Sequence, residues 1–195
     1  MVIYMRAFIA FDFPEQLKNQ LYQIQNLLKN ISYGGSWVSK DNFHITLKFL
    51  GEIEEGYVEG IGRVLKTISL SNVPINIKVN NIGYFNRKNN EYGIVWLGLE
   101  GDMDRLNAIY DFIEDNMNQM GFPKERRKFS PHITLVRRMR TNMDFNKVRN
   151  IIVPYLGNQY KLDNIALMKS EVIMNKRVYT PIVSSKLIDH NNNRR

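Results

Sequence analysis

The tetrapeptide His-Ile-Thr-Leu stands at 44–47 and again at 132–135. The chain holds three histidines and the repeat takes two of them; the third, His190, lies in a polar tail. Side chains of a strand alternate between its faces. His44 and Thr46 therefore share one face and Ile45 and Leu47 the other, and His132 and Thr134 divide from Ile133 and Leu135 in the same way. The Ile and Leu can seat each strand in a core while the His and Thr look into the space opposite. If the two strands flank one cleft, two imidazoles and two hydroxyls converge on one point.

That set suits a phosphodiester. Hydrolysis at phosphorus needs an in-line water, a leaving oxygen opposite it, and donors for the non-bridging oxygens. One imidazole can take the proton of water as general base and the other can protonate the departing alkoxide as general acid, each contributing ~10²–10⁴-fold. An unperturbed pKa of about 6.5 suits histidine to both tasks. The hydroxyls of Thr46 and Thr134 can donate to the non-bridging oxygens as an oxyanion hole does. The two histidines are interchangeable at this level, because the motifs are identical. Metal catalysis is the competing chemistry, but a zinc site needs further ligands. Neither motif has a second histidine at ligand spacing, cysteine is absent, and Asp41 is the one carboxylate close in sequence to either histidine. No metal and no cofactor are expected.

The elements that must position these residues follow from periodicity. Arg6 to Asp12 is a short apolar run before Pro14 and reads as a buried strand. Leu17, Leu21, Ile24, Leu28 and Ile31 recur at helical spacing behind Pro14, with Gly34-Gly35 beyond the end. Trp37-Val38 and Phe43 to Leu50 read as strands joined by the polar turn Ser39 to Asn42. Val58, Ile61, Leu65 and Ile68 form a second helical stripe. Ile75 to Val79 and Tyr92 to Leu99 read as strands, with a hairpin turn at Asn89-Asn90. A helix runs from an Asp102 cap to Gly121. Pro131 opens a strand containing His132 to Val136. A short helix spans Phe145 to Ile152, and Lys161 to Met174 and Val178 to Ile188 read as two long facing strands. This mixture implies an α+β fold with antiparallel sheets, in which the second half restates the first. No low-complexity linker divides the chain, so one bilobal domain over 1–195 is expected, with 189–195 as a frayed tail.

The 195 residues suffice for one large domain. A net charge of +8 favours a phosphate-bearing partner, and its distribution strengthens the point. Arg126, Arg127 and Lys128 precede the second motif, and Arg137, Arg138 and Arg140 follow it. No apolar stretch approaches the ~20 residues that span a bilayer, and the N-terminus enters a strand with no leader. A soluble cytoplasmic protein is expected, with no membrane association and no obligate protein partner.

The duplicated motif resembles that of the 2H phosphoesterase superfamily. Its longer context, Trp37 through Glu52 and Phe129 through Arg137, is similar to the two motifs of the RNA 2′,3′-cyclic phosphodiesterase branch, also called 2′-5′ RNA ligase. Arg6 to Pro14 and Val178 to Pro181 fit as well, so the resemblance covers nearly the whole chain. It implies two similar lobes of antiparallel sheet with helices outside and a central cleft. It also implies hydrolysis of RNA or nucleoside 2′,3′-cyclic phosphates to 2′-phosphates, with RNA ends or nucleoside cyclic phosphates as partners. By the same resemblance His44 is the acid at the departing 3′ oxygen, His132 the base, and Thr46, Thr134 and Arg137 hold the phosphate. Strand parity turns Arg137 away from His132 unless the strand bulges near Val136. Phe49 occupies the matching place in the first motif and is expected in the core. Phe8, Phe11 and Tyr179 could line the cleft and stack on a base. A glycine common shortly before Tyr179 in the family is absent, with Lys176 near that place. Two alternatives stay open: the same site acting on 2′-5′ oligoadenylate or RNA 3′ ends, and a non-catalytic nucleotide- or RNA-binding module. Retention of all four His and Thr residues argues against the second.

Overall fold

The computed structural model describes residues 3–188; the expected tail at 189–195, with His190, lies outside them. The described residues form nine strands and four helices: β1 Tyr4–Asp12, α1 Glu15–Asn30, β2 Gly34–Trp37, β3 His44–Glu54, α2 Tyr57–Ser71, β4 Ile75–Lys88, β5 Glu91–Gly101, α3 Met103–Gln119, β6 His132–Arg140, α4 Phe145–Ile152, β7 Gln159–Leu162, β8 Asn164–Ile173 and β9 Lys176–Lys186. They build two antiparallel sheets, ordered β3-β1-β8-β9 and β2-β6-β5-β4-β7. The α+β class and two-sheet architecture match the expectation.

The halves of the chain are not the lobes, however. The four-stranded sheet takes β1 and β3 from the start and β8 and β9 from the end, and the five-stranded sheet takes the middle together with β2. The chain crosses between sheets twice where continuity or a simple turn was expected. A 3₁₀ turn at Lys40–Asn42 carries it from β2 to β3. The single strand expected over Lys161 to Met174 breaks at Asp163 into β7 and β8, which belong to different sheets. Both pieces are strand-like in composition, so periodicity alone cannot show the exchange.

Packing explains why the elements hold. β1 is internal to its sheet, and Ala7, Ile9 and Phe11 enter the main core while Phe8 and Ala10 are buried on the opposite face. Burial of both faces explains its continuous apolar run. Helix α1 buries Leu17, Leu21, Ile24 and Leu28, the stripe seen at helical spacing. Asp102 stands at the start of α3, yet its carboxylate does not cap the helix; it accepts from Asn76 N at 2.9 Å and pairs with Arg105 at 3.0 Å. It thereby ties the helix start to β4. Asn89, at φ 53°, turns the β4–β5 hairpin, a conformation asparagine tolerates. One continuous apolar cluster draws on both sheets and the helices α1 to α4.

Candidate active site

His44 opens β3 and His132 opens β6, so each sheet contributes one motif strand. A cavity of about 400 Å³ between them is lined by His44, Thr46, His132, Thr134 and Arg137, with Asn42, Phe49, Phe85, Arg127 and Tyr179 around them. Ile45, Leu47, Ile133 and Leu135 are buried in the core on the other face. The parity argument thus holds for both tetrapeptides.

After each tetrapeptide the alternation breaks in the same way. In β6 the pairing with β5 shifts register, Trp96 lying opposite Thr134 and Val95 opposite Val136. Leu135 is the extra residue, and both Leu135 and Val136 turn inward. That bulge returns Arg137 to the cleft face and removes the conflict between parity and resemblance. In β3 the pairing with β1 shifts between Ile9 and Ala10, making Leu47 the extra residue. Leu47 and Lys48 are buried and Phe49 emerges 69 % exposed on the cavity wall. Phe49 is therefore not a core residue, contrary to expectation; the bulge that the sequence does not display put it outside.

The two rings are held alike. His44 Nδ1 lies 2.7 Å from the Asn42 carbonyl oxygen and His132 Nδ1 lies 2.8 Å from that of Ser130. A carbonyl only accepts, so Nδ1 carries the proton in both rings and Nε2 is left to do chemistry. His44 Nε2 is 2.9 Å from Thr46 Oγ1, so the hydroxyl donates to the neutral ring. Burial pushes the His44 pKa below the ordinary imidazole value, with the charges of Arg137 and His132 acting in the same direction; the Asn42 carbonyl and Asp12 oppose this.

Aromatic rings fix the histidines sideways. Phe8 lies 4.9 Å from the His44 ring, and Tyr179 meets it edge-on at 5.3 Å. Phe85 stands edge-on to His132 at 5.2 Å, with Trp96 at 6.2 Å. Of the aromatic residues expected along the cleft, Tyr179 lines it. Phe8 is 2 % exposed and supports His44 from beneath. Phe11 is fully buried in the core, which corrects its expected place as a base-stacking residue. Positions 8 and 11 are three apart in one strand and so face opposite ways.

Sequence reasoning missed three contributors. The sequence marks Asn42 only as a turn residue. Buried at 7 % exposure, it donates through Nδ2 to the Arg177 carbonyl at 2.7 Å and accepts from Tyr179 N–H at 3.2 Å. It thereby joins the turn before His44 to β9. Phe85 and Trp96 come from strands that carry no motif, so no local signal could have marked them. Of the six basic residues bracketing the second motif, Arg127 and Arg137 line the cavity, and Arg138 pairs with Glu91 instead at 3.3 Å. Among the described residues no group of three or more His, Asp or Glu side chains is arranged to hold a metal ion. Among them, too, no helix is long and apolar enough to cross a membrane.

The architecture and sequence both have relatives. A family model described as LigT like Phosphoesterase matches residues 11–96. The RNA 2′,3′-cyclic phosphodiesterase of Methanocaldococcus jannaschii is 33 % identical over 91 % of this chain and 98 % of its own. That of Thermotoga maritima is 38 % identical over 68 % of this chain and 70 % of its own. In fold, the chain resembles TT0787 of Thermus thermophilus, with a TM-score of 0.77 and 24 % identity over 94 % of this chain and 98 % of that one. It also resembles Escherichia coli LigT crystallised with 3′-AMP, with a TM-score of 0.76 and 22 % identity over 96 % and 100 %. Fold and sequence thus agree on one class, the two-sheet phosphoesterases. The chain belongs to the LigT-like phosphoesterase family, within the 2H superfamily.

Proposed function

We propose that this chain is an RNA 2′,3′-cyclic phosphodiesterase, which opens the cyclic phosphate at an RNA end to a 2′-phosphate by acid–base work of two histidines within one bilobal domain. The observation that carries the reading is the meeting of both His-x-Thr strands, one from each sheet, at a single basic cavity. The relatives whose names state this activity support it.

In this reading His132 Nε2 takes the proton of the attacking water, and His44 Nε2 delivers one to the departing 3′ oxygen. Thr46, Thr134 and Arg137 donate to the non-bridging oxygens. The division of roles between the histidines follows the family resemblance. One physical consequence is specific to this chain. Burial favours neutral His44 in the free protein, whereas an acid must hold a proton. A phosphate anion between the rings favours the imidazolium, so substrate itself primes the acid. Thr46, released from the ring, can then turn its hydroxyl to phosphate. A composition without cysteine fits action in the reducing cytoplasm.

The test is incubation of the purified protein with the four nucleoside 2′,3′-cyclic phosphates in excess chelator, with identification of products. Nucleoside 2′-phosphate is expected, at a rate unchanged by chelator. A 3′-phosphate product, or turnover confined to 2′-5′ linked oligoadenylate, would refute the assignment, and activity restored only by added metal would refute the two-histidine mechanism.

A further inference from the structure

The cleft does not end at the catalytic groups. A second cavity of about 340 Å³ adjoins it and shares three of its walls, Phe49, Arg137 and Tyr179. Its remaining lining includes Arg6, Gly51, Ser170 and Arg177. Strand parity explains the continuity. Arg6, Phe8 and Ala10 share one face of β1, so the face that supports His44 runs on along the strand to Arg6. Tyr179 and Arg177 repeat the step on β9. On β3, Gly51 takes φ +77°, and a Cβ added there would meet nothing within 4 Å, so open space adjoins the chain at this wall of the cavity.

Three arginines thus line one cavity. Arg177 donates to Ser170 Oγ at 3.2 Å. Among the described residues none of the three arginines has an ion-pair partner. Glu52, directly opposite Arg6 in the β1–β3 register, makes no ion pair with it. Uncompensated positive charge in a concave site concentrates anions, and arginine suits phosphate through its planar fork. The exposed ring of Phe49 stands at the junction of the two cavities, where a base or ribose can pack on it.

We propose that this second cavity binds the phosphodiester on the 5′ side of the terminal nucleotide, with Arg6 and Arg177 as its ligands. The inference rests on the phosphodiesterase reading, because the catalytic cleft must hold the cyclic phosphate at the 3′ end. From there the RNA chain can continue in one direction only, through the 5′ oxygen to the next phosphate. The preferred substrate is then an oligoribonucleotide end of at least two nucleotides, and a free nucleoside cyclic phosphate fills half of the site.

The experiment compares kcat/KM for a nucleoside 2′,3′-cyclic phosphate with that for a dinucleotide ending in the same cyclic nucleotide. A charge-assisted contact of this kind predicts a dinucleotide preference of about tenfold or more. Arg6→Gln with Arg177→Gln should reduce that preference to within about twofold while leaving the mononucleotide rate unchanged. The salt dependence of the wild-type protein gives a reading that needs no variant. The slope of log(kcat/KM) against log(salt) should be steeper for the dinucleotide by nearly one charge. Equal rates on both substrates in the wild type, or a preference that survives both substitutions, overturns the subsite. If the wild type turns over neither substrate, the phosphodiesterase reading fails. The subsite is then decided by titration, a dinucleotide with a 3′-terminal phosphate binding about tenfold more tightly than the corresponding nucleoside 3′-phosphate if it stands, and equally if it does not.

Discussion

The two His-Ile-Thr-Leu strands begin alike and diverge after the bulge. Behind Thr134 the inward residue is Val136 and the outward one is Arg137; behind Thr46 the inward residue is Lys48 and the outward one is Phe49. Val136 completes an apolar core. Lys48, 5 % exposed, donates to Glu114 at 2.8 Å and to the Pro123 carbonyl at 2.6 Å, and Glu114 also accepts from Glu125 N–H at 2.8 Å. The loop so anchored carries Arg127 to the cavity. The bulge at Leu135 has its own support, for the Leu135 carbonyl accepts from both Val38 N–H at 3.1 Å and Gln25 Nε2 at 2.8 Å. One duplicated motif thus yields two different half-sites. The β6 half offers a cation to the cavity. The β3 half offers an aromatic wall and uses its buried cation to hold the loop on the far side.

The sharpest way to break this comparison is to remove either ring. His44→Ala or His132→Ala should lower kcat by ~10²–10⁴-fold with the fold intact. If the rings act as one unit, the double variant should lose little more than the worse single one. Near wild-type turnover in either variant would sink the paired-histidine account. Thr46→Val and Thr134→Val probe the next layer, and each should lower kcat by ~10²–10³-fold, as loss of an oxyanion donor does. A much larger loss at Thr46 would show that its bond to His44 matters beyond the phosphate, and steady-state kinetics of the two variants side by side decides it.

The inward positions separate by stability. Lys48→Met leaves Glu114 buried without its cation and should cost ~3–5 kcal/mol in urea unfolding, and replacing Glu114 by Leu in the same chain should recover much of it. A loss below ~1 kcal/mol would mean that the pair does not hold the loop. The smallest effect is on pH dependence. With His44 depressed by burial and by Arg137, the limb of kcat/KM that His44 controls should break below the ordinary imidazole value, since that ring gives up the proton it needs as the acid at lower pH. Arg137→Gln removes one of the depressing charges, so that limb should move to higher pH. An unmoved or downward-shifted limb would contradict the electrostatic coupling between the two halves.

Sequence alone was enough to determine the α+β class, most element positions and the face that His44, Thr46, His132 and Thr134 share, because hydrophobic periodicity and strand parity are local properties. Parity also sets Phe8 and Phe11 on opposite faces, although which of the two came to lie against His44 depended on what packed against β1. Tertiary structure alone decided the rest. The bulges after Thr46 and Thr134 exist because of how neighbouring strands pair, and they set the directions of Phe49 and Arg137. The exchange of β2, β7 and β8 between sheets left no mark on composition. Phe85 and Trp96 reach His132 from strands without a motif, and Asn42 ties the turn before His44 to β9 through contacts that its local sequence does not display. Register and sheet order are long-range pairings, and a short window of residues carries no record of its distant partner.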